Sequence, residues 1–319
     1  MKSLLLAVLL LPILVTKGVG QWSHGDDSIF QVRTRSAIDL RIDTIPLSNG
    51  PMVSGRPMLY AGPRIAAAGE LFLGTPYVAG TLDVDTQENL VIDLHGFDCV
   101  TFYENAIALA STIYTAVSNS FNGSHFTTPL PDEHTYEAAL TNLRYRGGVR
   151  DGFHSRLNYT IDYFYDNNKR GNLLNVTSKV GGTYVKHDDR TIDFMTHHRT
   201  AYKQLAHNDA EFAAMQKVER DIHARGPFSY IPKEDISKIE QNIHTGDVLG
   251  ITTNIEGLDC SHTGIAIKMD DGRIHFMNAS SLMGKVIISE ESLVDYLTHS
   301  SHQTGIIVMR PVWPVQKER

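Results

Sequence analysis

The last third of the chain alternates apolar, often β-branched residues with small or polar ones, and this pattern constrains the fold more than any other feature. Such alternation is typical of β-strands, and Asp270-Asp271-Gly272 between two of the runs is a hairpin turn signal. A hairpin joins antiparallel strands, so we expect an antiparallel sheet here. The strand candidates are residues 248–253, 262–269, 274–278 and 305–312.

Helical patterns precede these strands. Apolar residues at helical spacing predict a helix from Pro63 that ends at Gly74, and a second helix with one apolar stripe begins just after Asp98. The middle of the chain, 119–225, is less regular, with one clear amphipathic helix at 209–223. Helices in the earlier part of the chain, followed by an antiparallel sheet in the last third, indicate an α+β domain.

The N-terminus has the features of a secretory signal. Lys2 supplies a positive start, an apolar run follows, and Gly18 and Gly20 are small enough for cleavage before Gln21. The run is too short for a spanning helix, and the alternative is a buried N-terminal helix. We therefore expect residues 1–20 to be removed and the protein to be exported, periplasmic or secreted, without a membrane partner. Residues 21–60 read as an N-terminal arm of short strands, and 61–319 as a single domain.

Charge and cysteine content exclude several classes of protein. The chain has 36 acidic and 29 basic side chains, a net charge of -7, so a nucleic acid is not an expected partner. Two cysteines exclude a disulfide scaffold and a cysteine-rich metal site. A zinc site built from histidines would need compact ligand spacing, which His197, His198, His207 and His223 do not offer. We therefore expect no metal and no cofactor.

Cys99 is the candidate nucleophile. Asp98 is a favoured N-cap, which places Cys99 in the first turn of the helix. There the free amides and the helix dipole favour a thiolate and could hold an oxyanion. The alternative is that Cys99 is a small buried hydrophobe.

Two strand residues complete the candidate site. His262 opens one strand and has the chemistry to take the thiol proton, and Asn278 on the next strand can fix its tautomer. Taken singly, each has an ordinary explanation, since the chain has 15 histidines and Asn278 lies in an Asn-Ala-Ser sequence. Together, in this order, the three are much more specific.

Three motifs carry a resemblance to a known family. Residues 73–81 (LGTPYVAGT), 98–105 (DCVTFYEN) and 262–267 (HTGIAI) resemble the NlpC-type branch of the papain-like cysteine hydrolases. The similarity is greatest to the N-acetylmuramoyl-L-alanine amidase-like family, and it covers roughly residues 60 to 312. It implies a papain-like α+β fold in which the nucleophile helix packs on an antiparallel sheet, with residues 119–225 as a large insertion between the two halves.

The resemblance also implies an activity and roles for residues. The family cleaves the amide that joins N-acetylmuramic acid to L-alanine in peptidoglycan fragments. Cys99 matches its nucleophile and His262 its base, whereas Asn278 stands where many relatives have histidine. Tyr77 matches a tyrosine that lines the nucleophile pocket, and Asp98 belongs to the same pocket.

Part of the insertion, residues 144–159, resembles the segment that we expect to shape substrate choice. Arg144, Arg146 and Arg156 concentrate positive charge that could bind the carboxylates of a muropeptide, and Tyr159 could stack on its sugar or peptide. The alternative is that these arginines only pair with nearby aspartates on a solvated surface.

Other readings stay open at this point. The same Cys–His site could cut the γ-D-glutamyl–diamino acid bond, or the chain could be a binding module without turnover.

Cys260 lies two residues before His262, so on a regular strand it would share the face of His262 and could lie near Cys99. It is then either a disulfide partner of Cys99 or an inert buried thiol.

Overall fold

The structure, a computed structural model, describes residues 21–22, 26–39, 42–53, 55–119 and 132–314. The predicted export signal, 1–20, lies outside the described residues. Within the described part, no helix is long and apolar enough to cross a membrane.

Helices and strands both run through most of the chain. The helices are α1 Asp26–Asp39, α2 Gly62–Glu70, α3 Cys99–Asn119, α4 Glu133–Arg144, α5 Thr160–Arg170, α6 Thr177–Gly181, α7 Phe194–His197, α8 Lys203–Ala206, α9 Asp209–His223, α10 Ile236–Ile239 and α11 Leu293–Tyr296. The strands are β1 Gln21–Trp22, β2 Ser48–Val53, β3 Arg56–Tyr60, β4 Val91–Ile92, β5 Leu173–Asn175, β6 Lys186–Asp188, β7 Phe228–Pro232, β8 Val248–Thr253, β9 Cys260–Lys268, β10 Ile274–Ser280, β11 Lys285–Ile288 and β12 Gln303–Pro314.

A ten-stranded sheet forms the frame of the molecule. Its main path runs β11-β10-β9-β8-β12-β3-β2, with β5 and β7 also paired to β12 and β6 to β7. Every pairing in it is antiparallel. The predicted α+β class with an antiparallel sheet is confirmed, and the Asp-Asp-Gly hairpin joins β9 to β10, with Gly272 at a φ of 79°.

The sheet has apolar layers on both faces, because alternate side chains of each strand point to opposite sides. On one face Ile265 of β9 and Met277 of β10 join a core that includes Phe102 and Ala106 of α3. Side chains that point to the other face of the sheet, such as that of Phe276, pack in a second core with α11. The sheet is therefore covered on both faces, and α3 lies against one of them.

Two expectations about regularity were incomplete. The middle of the chain contains α4 and α5 as well as α9, and the segment before residue 60 contains α1 in addition to strands. Helix α5 escaped recognition because its inward face carries polar residues, Asp162, Asp166 and Asn167, which are buried. An apolar periodicity cannot reveal a helix that buries polar groups paired by the tertiary structure.

Candidate functional site

The start of α3 holds Cys99 in a tightly capped first turn. Asp98 precedes the helix, and its Oδ1 accepts hydrogen bonds from the backbone N–H groups of Val100 (3.1 Å) and Thr101 (2.8 Å). The Thr101 hydroxyl accepts in turn from the Asp98 N–H at 3.0 Å. The predicted N-cap is thus present, and it fixes the position of Cys99 at the first residue of the helix.

The same cap limits which amides could hold an oxyanion. The N–H groups of Val100 and Thr101 already donate to Asp98, and that of Phe102 donates to the Asp98 carbonyl at 3.1 Å. The Cys99 N–H is the first-turn amide that lies beside the sulfur. The expected group of free helix amides is therefore reduced to this one.

The Cys99 thiol is not activated by its surroundings. Burial by dense protein raises its pKa to about 11, and the Asp98 carboxylate adds to the increase. Thr263 opposes both effects through its hydroxyl and backbone; the hydroxyl has no well-aligned hydrogen-bond partner among the described residues, and it faces this sulfur. Desolvation and a neighbouring anion thus shift the pKa of this thiol upward, opposite to the expected lowering.

His262 carries a base nitrogen in a defined tautomer. Its Nε2 lies 2.9 Å from Oδ1 of Asn278, whose Nδ2 donates to the Phe276 carbonyl at 3.1 Å. Because the amide nitrogen of Asn278 is used there, its oxygen faces the ring and accepts from Nε2–H, which leaves the Nδ1 lone pair free. Burial lowers the pKa of His262 below the usual histidine range, while the hydrogen bond to Asn278 opposes this.

Indirect contacts connect the surroundings of the thiol with those of the imidazole. Thr263, which contacts the Cys99 thiol, directly follows His262. The His262 ring packs edge-on against Phe276 at 5.6 Å between centroids, and Phe276 lies 5.2 Å from Tyr296. The pKa of Tyr296 is raised to about 12 by burial, by Glu291 and by Cys99. Cys99 and His262 are thus linked through Thr263 on one side and through Tyr296 and Phe276 on the other.

Tyr77 lies at the same site. Burial raises the pKa of Tyr77, and Cys99 and Asp98 add to the shift. Its backbone N–H donates to the Gly284 carbonyl at 2.9 Å, which ties the loop to the β10–β11 turn. Thr81, further along the loop, donates to Oδ2 of Asp98 at 3.1 Å. The phenol therefore stays protonated beside the sulfur and can act as a hydrogen-bond donor.

Cys260 does not share the face of His262. A register shift in β9 pairs Cys260 with Thr252 but His262 with the adjacent Ile251, so Ser261 is an extra residue. The bulge directs the two side chains to opposite faces, and Cys260 contacts Thr160 of α5 instead. Both cysteines are free thiols, with Cys99 partly exposed and Cys260 buried, and burial and the Asp259 carboxylate raise the pKa of Cys260, with a smaller contribution from Cys99.

Three of the four residues expected to bind substrate are part of the interior. Arg144 has 2% exposure and pairs with Glu104 of α3 at 2.9 Å. Arg156 has 5% exposure and pairs with Asp83 at 2.5 Å. Tyr159, at 2% exposure, donates to Glu219 at 2.7 Å. Such groups present no free surface to a ligand, so their expected role is corrected to a structural one.

Arg146 is the partly exposed member of that set. It forms two parallel hydrogen bonds to Asp162, at 3.0 and 2.6 Å, and Asp162 also pairs with Arg225 at 2.7 Å. Pairing with aspartate was the alternative explanation, but the partner is buried rather than on a solvated surface. One sequence feature could have indicated the structural role of Arg144. Its partner Glu104 lies in the same motif as Cys99, at a position of the helix that is buried.

The described residues contain no cluster of three or more His, Cys, Asp or Glu side chains arranged to hold a metal ion. The candidate site offers a thiol, an imidazole oriented by an amide, and a phenol. Together, these three side-chain types can support nucleophilic attack by the thiol with general acid–base catalysis by the imidazole.

Comparisons with known proteins identify the family and similar folds. A family model described as AmiA-like, N-acetylmuramoyl-L-alanine amidase-like, matches residues 67–306. Crystal structures of an N-acetylmuramoyl-L-alanine amidase from Bacteroides uniformis are 32% identical, with a TM-score of 0.67, and the match covers 77% of this chain and 97% of theirs. No curated protein sequence matches the chain significantly.

Two further structures are similar. A Bacteroides fragilis protein described provisionally as a xylanase is 34% identical, with a TM-score of 0.64, covering 76% of this chain and 98% of that one. A Legionella pneumophila protein is 21% identical with a TM-score of 0.63, covering 91% and 97%. At that identity the second likeness concerns the fold alone.

Proposed function

Because the chain belongs to the N-acetylmuramoyl-L-alanine amidase-like family, we propose that it is a cysteine amidase of peptidoglycan fragments. The bond cleaved is the amide between the lactyl group of N-acetylmuramic acid and L-alanine. The fold class that we propose is the papain-like, NlpC-type one. With residues 1–20 as an export signal, the site of action is outside the cytoplasm.

One observation carries the proposal. A thiol at the first residue of α3 contacts the residue that follows His262, and the Nε2 of His262 is held by Asn278 at 2.9 Å. The hydrogen bond to Asn278 leaves Nδ1 as the basic nitrogen. In the proposed mechanism these three elements supply a nucleophile, a base and an orienting group.

In the first half of the reaction, His262 acts as the base. Both groups begin uncharged, since the pKa of Cys99 is high and that of His262 is low. Nδ1 accepts the thiol proton as the sulfur bonds to the carbonyl carbon, and the C=O electron pair moves to oxygen. We assign the Cys99 N–H and the Tyr77 hydroxyl as donors to that oxyanion.

The tetrahedral intermediate then collapses. The C–N bond breaks, the imidazolium gives its proton to the departing L-alanine nitrogen, and a thioester to Cys99 remains. In the second half, Nδ1 takes a proton from water, the hydroxide attacks the thioester, and the proton returns to the sulfur. The products are the free lactyl carboxylate and a peptide that begins with L-alanine.

The first test is product analysis with the purified protein and a defined muropeptide. Mass spectrometry should find sugar and intact peptide, and Cys99→Ala should abolish turnover while His262→Ala reduces it by at least about 100-fold. A xylan oligosaccharide, included because of the Bacteroides fragilis relative, should stay uncut.

Other outcomes discriminate between the remaining functions. Cleavage after D-glutamate would identify an endopeptidase with the same Cys–His site. Tight binding without any product would identify a binding module. Full activity in Cys99→Ala would remove the cysteine from the mechanism.

A further inference from the structure

Thr263 of β9 lies on the side of the sheet that faces the nucleophile helix. Ile265, two residues later, packs in the core that contains Phe102 of α3. Residues two apart on a strand share a face, and the extra residue at Ser261 precedes this stretch, in which the pairing with β8 is regular. The Thr263 side chain therefore points toward α3, whose first residue is Cys99.

The hydroxyl of Thr263 is buried without a hydrogen-bond partner. The residue is 1% exposed, and its Oγ1 has no partner of regular geometry among the described residues. The hydroxyl and the backbone of Thr263 face the Cys99 sulfur, and hydrogen bonding from both favours the anionic form of that sulfur. A neutral thiol is a weak acceptor, whereas a charged acceptor forms much stronger hydrogen bonds. The hydroxyl thus gains a good partner only when the sulfur carries negative charge.

Negative charge on this sulfur has little other support. Burial and the Asp98 carboxylate both disfavour it. Other ionisable side chains that interact with the sulfur include three phenols and a thiol, none of which is positively charged: Tyr77, Tyr103, Tyr296 and Cys260. In the proposed reaction the thiol proton moves to Nδ1 of His262, so negative charge develops on the sulfur during the attack. A donor aimed at the sulfur stabilises that stage more than the resting thiol.

We propose that Thr263 is a further catalytic residue, whose hydroxyl donates a hydrogen bond to the Cys99 sulfur as the thiol proton leaves for His262. This inference rests on the proposed function, since it assigns a donor to the same nucleophile. In the thioester the sulfur is uncharged again, and the interaction weakens. A hydrogen bond that is strong only in the charged stage raises kcat and leaves KM unchanged.

The test replaces the hydroxyl by a methyl group of similar size in Thr263→Val. Alkylation of Cys99 by iodoacetamide at pH 8 should slow about 10-fold or more, as expected for the loss of a hydrogen bond to a charged group. The kcat for muropeptide cleavage should fall by a similar factor, with KM unchanged. The thermal midpoint should not fall, because the resting protein loses no hydrogen bond. Thr263→Ser, which keeps the hydroxyl, should restore most of the alkylation rate.

The matched control is Thr252→Val on the neighbouring strand β8. Thr252 is also 1% exposed, but its hydroxyl pairs with that of Thr304 at 2.8 Å. This variant should keep the alkylation rate of Cys99 and lose stability instead. Thr263→Ala removes the hydroxyl with a smaller side chain, and it repeats the test if Thr263→Val does not fold.

The two readouts separate this inference from the proposed function. Unchanged alkylation in Thr263→Val, or equal slowing in Thr263→Ser, would overturn the role of the hydroxyl, and the amidase would stand if the wild type still cleaves muropeptide. Slower alkylation in Thr263→Val that serine restores, without cleavage of any muropeptide by the wild type, would retain the donor and overturn the amidase.

Discussion

In the proposed mechanism, Cys99 and His262 differ from the usual thiolate–imidazolium pair in their resting charge. Burial and Asp98 raise the pKa of the thiol, and burial lowers that of the imidazole, so both are neutral at pH 7. A thiol with a pKa of about 11 is ionised in roughly one molecule in ten thousand at that pH. In the proposed mechanism the proton must therefore move during the attack, as in a serine hydrolase.

This charge state predicts two pH profiles. Alkylation of Cys99 by iodoacetamide should accelerate about tenfold per pH unit from pH 7 to 10, because the thiolate fraction grows at that rate. The kcat/KM for amide cleavage should hold down to pH 6.5 and fall only below it, where His262 becomes protonated. The measurements are mass-spectrometric labelling rates and initial velocities.

The control for labelling is Cys99→Ala, in which the buried Cys260 should react far more slowly. A labelling rate that is already constant between pH 6 and 8 would instead indicate a preformed thiolate–imidazolium pair.

At the level of elements, buried ion pairs fasten the middle of the chain to the nucleophile helix. Arg144 at the end of α4 pairs with Glu104 of α3, one turn beyond Cys99, and donates to the Val91 carbonyl at 2.6 Å. Arg156 holds the loop after Tyr77 through Asp83. Arginines that looked like a ligand-binding patch thus position the helix and the loop that carry the site.

Arg144→Ala should therefore act on stability. Loss of one partner leaves Glu104 charged and buried, so the free energy of unfolding in urea should fall by about 3–5 kcal/mol. The double variant Glu104→Leu/Arg144→Met should recover most of that loss. The control is Arg146→Ala, whose partner Asp162 keeps Arg225, and its loss should be smaller. Unchanged stability with a raised KM in Arg144→Ala would restore the substrate-binding role.

At the scale of the whole molecule, the insertion is part of the main sheet. Strand β5 lies within 119–225 and pairs with β12 through Met309 and Asn175. Asp259 at the base of β9 accepts from the Ile161 N–H at the start of α5, at 2.7 Å. Residues distant in sequence therefore share hydrogen bonds, and the described strands within 119–225, β5 and β6, belong to the ten-stranded sheet.

We accordingly predict one unfolding transition. Differential scanning calorimetry should give a single peak whose calorimetric and van't Hoff enthalpies agree, and Arg144→Ala should shift that whole peak to lower temperature. Two separated peaks, with only one of them moved by the substitution, would show that the insertion folds on its own.

Local patterns were sufficient for several features. The strand alternation predicted β8 to its ends and β9, β10 and β12 closely, and Asp98 before an apolar stripe predicted where α3 begins. These features depend on neighbours within a few residues, namely caps, turn residues and alternation. They could be read without knowledge of any distant contact.

The tertiary structure alone decided the electrostatics and the partners. The pKa of Cys99 depends on how much protein surrounds it, and the roles of Arg144 and Arg156 depend on acids 40 and 73 residues away. The extra residue at Ser261, which turns Cys260 away from His262, arises from pairing with β8. Burial and ion pairing are properties of the assembled chain, because desolvation and Coulomb energies depend on distances in space that sequence separation does not determine.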